Sequence, residues 1–302
     1  MNSVTFVVVT YNRRFLLEKV LNAIYNVRGS QNIKNVIVVN NCSVDDTSSF
    51  LEEYSKEHKN LIVSNTEKNL GGAGGFANGV TVALQTGAEW IGLLDDDVEI
   101  HEDALLTISK YMERKTILAC LRVNTKGEVV ERASRKYDLS SFFCLNPRKE
   151  SLFEESKKIE AFKELEPVAF ASFEGLFVPR EVFNRIGIPH SEYFIFGDDC
   201  DFCIRARRRN YLIKIVRDAK ITRLLPYNRT GLFRSWKLNF VIRNFFILHF
   251  LYGENRYVRI KPYFYAALLT VIKPVIPRLT PWKDLIDASK ICKHIKYKVK
   301  NL

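Results

Sequence analysis

Three consecutive carboxylates, Asp95, Asp96 and Asp97, close an apolar run of strand length, Trp90-Ile91-Gly92-Leu93-Leu94. Adjacent Asp side chains repel one another and are poor strand formers, so a strand that ends in them needs compensating charge. Their hard oxygens suit a divalent cation, Mg2+ or Mn2+, which commonly binds through one or two carboxylates plus substrate phosphates. The plainer alternative is an acidic turn before a helix opened by Glu102 and Asp103. A second acidic cluster, Gly197-Asp198-Asp199-Cys200-Asp201, follows Phe194 and Phe196. Its first Asp can cap a helix running through Arg209, yet a carboxylate walled by aromatic rings is also how a general base has its pKa raised toward the working range. Between the clusters lies Asn69-Leu70-Gly71-Gly72-Ala73-Gly74-Gly75-Phe76. Its amides, near a helix N-terminus, suit a diphosphate; the four glycines equally suit close packing. The loop lacks both the Walker ending and the dinucleotide fingerprint.

The elements that must position these groups alternate. Residues 4–9 form an apolar, β-branched run, followed by Thr10-Tyr11-Asn12-Arg13 and then by helical apolar spacing at Phe15, Leu16, Val20, Leu21 and Ile24. Residues 36–39 predict a second strand. Asp45 or Asp46 can cap the helix bearing Phe50, Leu51 and Tyr54, and residues 61–63 predict a third strand. Repeated strand-helix units imply a parallel sheet, with ligands beyond the carboxyl ends of its strands. The Gly-rich loop and the Asp triplet then face one crevice. Residues 117–123 predict a strand, Pro179 suits a first helical position, and residues 211–216 predict another strand before Arg223, Arg229 and Arg234. Residues 125–166 carry no assignable role.

At 302 residues, 47% of them hydrophobic, the chain can bury a full core. Its net charge of +12 is uneven: residues 201–302 carry 23 Lys and Arg against 5 Asp and Glu, and the first 200 carry 23 against 29. A basic final third points to phosphates, nucleic acid or an anionic membrane surface. Six scattered cysteines are no disulfide framework and read as reduced thiols. The N-terminus reads directly as a strand, without a basic region and apolar segment, so the expected location is cytoplasmic. The expected division is a catalytic domain over 1–235 and a basic, aromatic, helical region over 236–302, fit for membrane docking or self-association. Its lysine-rich tail equally suits a solvated helical face.

In this order the motifs resemble the inverting family 2 glycosyltransferases of the GT-A fold. The carriers are Val-Val-Val-Thr-Tyr-Asn-Arg at residues 7–13, the turn Asn41-x-Ser43-x-Asp45-x-Thr47, the Asp triplet and Gly197-Asp198-Asp199. The Gly-rich loop is most similar to the galactofuranosyltransferase and rhamnosyltransferase branches. Phe-Val-Pro-Arg-Glu-Val-Phe at residues 177–183 favours the former. The resemblance implies an α/β GT-A fold, a mostly parallel central sheet with flanking helices and a basic helical C-terminal extension. It places Thr10, Asn12, Arg13, Asn40, Asn69, Gly71, Gly72, Asp95, Asp96 and Arg223 around the donor, with Arg13 reaching its diphosphate. By the same resemblance Asp97, with Asp96, would hold the divalent cation, and Asp199 would be the base, with Asp198 the second candidate. Two positions depart from the family pattern: Asn40 replaces the usual Asp, and Arg223 stands where relatives often carry a metal-binding His. A guanidinium cannot ligate a metal but can pair with a diphosphate.

The implied activity is transfer of galactofuranose from a UDP-sugar to a lipid-linked polysaccharide acceptor at the inner face of the cell membrane, the chain acting as a peripheral protein and a candidate homo-oligomer. A dTDP-rhamnose donor is the close alternative, and a non-catalytic nucleotide-sugar-binding subunit is the alternative of another class. Nucleic acid is not an expected partner, because the sequence offers neither a recognition helix nor a stacking motif.

Overall fold

A computed structural model describes residues 2–144, 146–152, 162–226 and 235–300. Arg229 and Arg234 lie outside them. The chain runs β1 (Val4–Thr10), α1 (Arg14–Asn26), β2 (Ile33–Asn40), α2 (Thr47–Glu57), β3 (Leu61–Asn65), α3 (Gly71–Thr86) and β4 (Trp90–Asp95). The order β3-β2-β1-β4 places β1 at the centre, with all three pairings parallel. Chain direction across the sheet reverses between β1 and β4. Loops leaving the two strands there diverge to opposite sides and open a crevice at their carboxyl ends.

Beyond β4 the sheet is mixed. After β5 (Val98–Ile100), α4 (Ala104–Ser109) and β6 (Thr116–Asn124), a two-stranded sheet of β7 (Ser134–Tyr137) and β8 (Arg148–Ser151) fills part of the stretch whose sequence resists reading. Then come β9 (Leu165–Val168), β10 (Leu176–Pro179), α5 (Arg180–Ile186), α6 (Asp198–Arg208) and β11 (Leu212–Arg223). Strand β10 inserts antiparallel between β4 and β6, while β11 runs parallel to β6 and antiparallel to β5 and β9. Parallel pairing thus dominates the amino-terminal half and alternates with antiparallel pairing in the rest. Pro179 ends β10 and precedes the first turn of α5, where its missing N–H costs no helix bond.

Strand alternation divides the core. Phe6 and Val8 face one side with Leu17, Leu21 and Ile24 of α1; Val7 and Val9 face the other with Phe76 and Val80 of α3. The second side also receives the C-terminal helices α7 (Lys237–Tyr252), α8 (Arg256–Ile272) and α9 (Pro281–Lys300), through Phe246, Ile247, Ala266, Leu285 and Ala288. Residues from position 236 on therefore share a core with β1 and α3. Among the described residues, no helix is long and apolar enough to cross a membrane.

Candidate active site

The crevice outside β1 and β4 is a cleft of about 440 Å³ lined by Thr10, Arg13, Asn69, Gly71, Gly72, Asp95, Asp96, Asp97, Asp198, Asp199 and Arg223. Residues separated by more than two hundred positions thus converge on one space. Asn12 and Asn40 do not line it. Asn12 receives the Val44 amide at 2.7 Å, and Asn40 donates to Ser48 and Asn65, so both side chains brace neighbouring segments. Asn41 lines it instead, accepting from the Leu70 amide and donating to the Gly71 carbonyl.

Charge at the triplet is offset by arginines. Asp96 accepts from the Thr10 hydroxyl at 2.9 Å and from Arg13 Nη1 at 2.9 Å, and Asp97 Oδ2 lies 3.4 Å from the same nitrogen. From the other side, Arg223 Nη2 stands 3.7 Å from Asp97 Oδ2. The Leu224 amide bonds the Asp97 carbonyl, and β11 pairs with β5; together they carry Arg223 to the triplet. Burial raises the Asp97 carboxyl pKa, an effect Arg223 opposes and Glu174 reinforces. Asp95 is raised further, by burial and then by Glu174 and its neighbouring carboxylates.

Glu174 is the residue that sequence reasoning left without a role. It accepts from Arg223 at 3.0 Å and pairs with Arg122 at 2.5 Å; Arg122 in turn reaches Glu131 at 3.2 Å. Burial pushes the Glu174 pKa up, but Arg122 and Arg223 outweigh it and hold the group below the usual range. The signal was a lone carboxylate in an apolar run, with Arg122 buried inside a strand. Such groups stay charged only when paired.

The Gly-rich segment mostly serves packing. A Cβ at Gly75 would stand 2.4 Å from Val9 Cγ1 and one at Gly79 2.3 Å from Val7 Cγ1, so both let α3 lie flat on β1. A Cβ at Gly71, whose φ is +70°, would strike the Phe194 carbonyl. The Leu70, Gly71 and Ala73 amides are bonded to Asn41, Asn69 and Phe194 respectively. The expectation of a run of amides cradling a diphosphate therefore narrows to Gly72, around which a Cβ would meet nothing within 4 Å.

That Phe194 contact joins the Gly-rich segment to the second acidic cluster. Phe194, Phe196 and Gly197 have φ of 63°, 66° and 87°, a run in the left-handed region that costs two non-glycine residues of order 1–3 kcal/mol each. Asn244 of α7 offsets this cost: its Nδ2 lies 3.0, 2.8 and 2.7 Å from the carbonyls of Tyr193, Ile195 and Phe196. The loop delivers Asp198 and Asp199 at the start of α6. Burial raises both carboxyls, Asp198 well above the usual range; Arg148 opposes the shift at Asp199. One turn on, fully buried Asp201 receives Arg205 at 2.8 Å and the Tyr193 and Tyr252 hydroxyls, with His190 Nδ1 at 3.0 Å. Burial works against its charge, yet Arg205 and the other donors hold Asp201 far below the ordinary carboxylate range.

Residues 5–187 match the model of Glycosyl transferase family 2. The chain belongs to that family. It is 30% identical over 206 residues to the galactofuranosyltransferase GlfT1 of Mycobacterium tuberculosis, the alignment covering 66% of this chain and 62% of the relative. It is 27% identical over 216 residues to the dTDP-rhamnosyl transferase RfbF of Shigella flexneri, covering 71% and 67%. Aligned regions thus span about 62% of the GlfT1 relatives' own length. Similar folds occur in GalNAc-T7, solved with UDP, GalNAc and Mn2+ (TM-score 0.63, 15% identity, 100% of this chain and 58% of that one). They also occur in the Pyrobaculum calidifontis mannosyltransferase PcManGT, solved with GDP-Man and Mn2+ (TM-score 0.56, 17% identity, 96% and 73%). This glycosyltransferase accordingly has a GT-A-like α/β fold with a mixed sheet.

Proposed function

We propose that this family 2 glycosyltransferase transfers galactofuranose from UDP-galactofuranose to a lipid-linked polysaccharide acceptor, with inversion, as a peripheral protein of the inner membrane face. The observation that carries the reading is one cleft holding arginines at a carboxylate triplet and, on the facing helix start, two carboxyls with raised pKa. In this reading Arg13 and Arg223 pair with the donor diphosphate, and the Gly72 amide adds a donor beside it. Asp95 faces the nucleoside. Asp199 accepts the proton of an acceptor hydroxyl, which attacks the anomeric carbon opposite the departing UDP, so a single displacement inverts that centre. Asp198 opens the first turn of α6 and is the second candidate for the proton.

Among the described residues, no group of three or more His, Cys, Asp or Glu side chains forms a metal cage. Mg2+ and Mn2+ often take one or two carboxylates and complete their sphere with phosphate oxygens, so Asp97 with Asp96 fits a donor-completed site. A cation held there would neutralise charge on the leaving diphosphate. Arg223 shares that task.

Acceptor sugars have an aromatic wall to stack on. Phe194 and Phe240 rings lie 5.0 Å apart, Trp236 stands 5.6 Å from Phe240, and Trp236 and Lys237 line the cleft. A dTDP-rhamnose donor is the second reading, favoured by the RfbF similarity. Nucleotide release from a panel of sugar nucleotides, with a lipid-linked acceptor mimic, separates the two. Release of UDP from the galactofuranosyl donor supports the first, release of dTDP from the rhamnosyl donor supports the second, and release from neither donor defeats both.

A further inference from the structure

We infer that the outward face of α8, with the loop at Phe142 and Phe143, is a docking surface for an anionic lipid bilayer. For its purpose the inference rests on the proposed lipid-linked acceptor; its location rests on geometry. Tyr257, Ile260, Phe264, Leu268 and Val271 recur every three or four residues and are 43–74% exposed, with Val275 beyond the helix at 83%. The opposite side of α8 is buried through Val258, Pro262 and Ala266. Single exposed apolar residues are ordinary, whereas an unbroken stripe is not. Phe142 packs edge-on against Phe264 with ring centroids 5.2 Å apart, and Phe143 is 88% exposed beside it, which widens the stripe into an apolar groove.

Charge selects the occupant. Residues 255–283 contain six Lys and Arg and no Asp or Glu; Lys261 is buried, and the other five, Arg256, Arg259, Lys273, Arg278 and Lys283, are exposed, Lys273 just past the carboxyl end of α8. Such a face attracts anionic headgroups and repels a second copy of itself. Exposed Tyr257, Tyr263 and Trp282 are residue types that settle at the boundary between headgroups and acyl chains. A 17-residue helix with this pattern lies in that boundary rather than spanning it. The turn after α8 also lies near the cleft. Asn239 donates to the Arg278 carbonyl, which sets the turn after α8 beside the start of α7, where Trp236 and Lys237 line the cleft. Docking along the stripe brings the cleft mouth toward the surface that would hold a lipid-linked acceptor.

Co-sedimentation of the full chain with phosphatidylcholine vesicles, with and without phosphatidylglycerol, tests the inference, with UDP affinity by calorimetry as a separate readout. Binding is expected only to the anionic vesicles and should weaken with salt. The pair Phe264→Glu and Leu268→Glu, and the purely surface pair Lys273→Glu and Lys283→Glu, should each reduce partitioning by about ten-fold or more without changing UDP affinity. Equal binding to both vesicle types overturns the inference, as does undiminished binding by the lysine pair. So does a dimer in light scattering that the Phe264 and Leu268 pair disperses while vesicle binding persists. Retained UDP binding without vesicle binding defeats the docking surface alone; vesicle binding without UDP binding defeats the proposed donor instead.

Discussion

Arg223 Nη2 lies 3.7 Å from Asp97 Oδ2, so a cation built into the chain stands at the carboxylate expected to hold a metal. Strand β11 and its pairing with β5 make this contact, and Glu174 fixes the guanidinium from behind at 3.0 Å. In the proposed reading, phosphate neutralisation is divided between this side chain and whatever cation the donor brings.

Removing the side chain should expose that division. Arg223→Ala is expected to weaken UDP binding in chelator by about ten-fold or more, the loss of one charge-assisted hydrogen bond of about 1.5–3 kcal/mol. Arg223→His should restore affinity only when Mn2+ is added. Calorimetry with and without chelator decides; affinity unchanged by Arg223→Ala and by chelator alike would remove Arg223 from the donor site.

Asp199→Asn should keep donor affinity while transfer falls by about 10²- to 10⁴-fold, the usual scale for a lost general base. Measuring both quantities on one preparation separates catalysis from binding. Full turnover in Asp199→Asn with loss in Asp198→Asn would transfer the role to Asp198.

Dependence on pH follows from the raised Asp199 carboxyl. Burial raises it and Arg148 restrains the rise. A base must be ionised, so kcat/KM should climb with pH through a midpoint above the ordinary carboxylate value. Arg148→Gln removes the restraint and should move that limb further up; a shift to lower pH would contradict the assignment.

Stability in acid should turn on Asp201. Its folded pKa lies below the unfolded one, so its contribution is complete above the ordinary carboxylate range and is lost as pH falls toward the folded value. Asp201→Asn leaves Arg205 buried without its charge partner and should cost about 3–5 kcal/mol at neutral pH. Thermal melts across acidic pH should show the variant's Tm falling less steeply than that of the unsubstituted protein.

The glycines divide by what faces them. Gly75→Ala drives a methyl into Val9 and should cost about 1–3 kcal/mol. Gly72→Ala enters open space in a helix and should leave stability equal or higher by about 0.5–1 kcal/mol. UDP affinity should fall in Gly72→Ala. Melting curves and calorimetry on the two variants test both halves.

Much of the amino-terminal half was legible because its signals are local. Seven consecutive buried residues in β1, the Asp triplet ending β4 and acids opening α6 are visible as runs, and runs survive without knowledge of partners. The bracing roles of Asn12 and Asn40 were not legible for the opposite reason: a polar residue there has the same appearance whether it meets a ligand or braces a neighbouring loop.

By itself the sequence determined which chemistry was present, carboxylates at strand and helix ends with arginines to match, and the family to which their order belongs. Only the tertiary structure decided who faces whom. Glu174 became the clamp between Arg122 and Arg223 because β10 enters antiparallel beside β4, and Asn244 became the brace of the loop before Asp198 because α7 folds back onto it. Contacts between residues distant along the chain depend on strand order and helix return, which no local periodicity encodes.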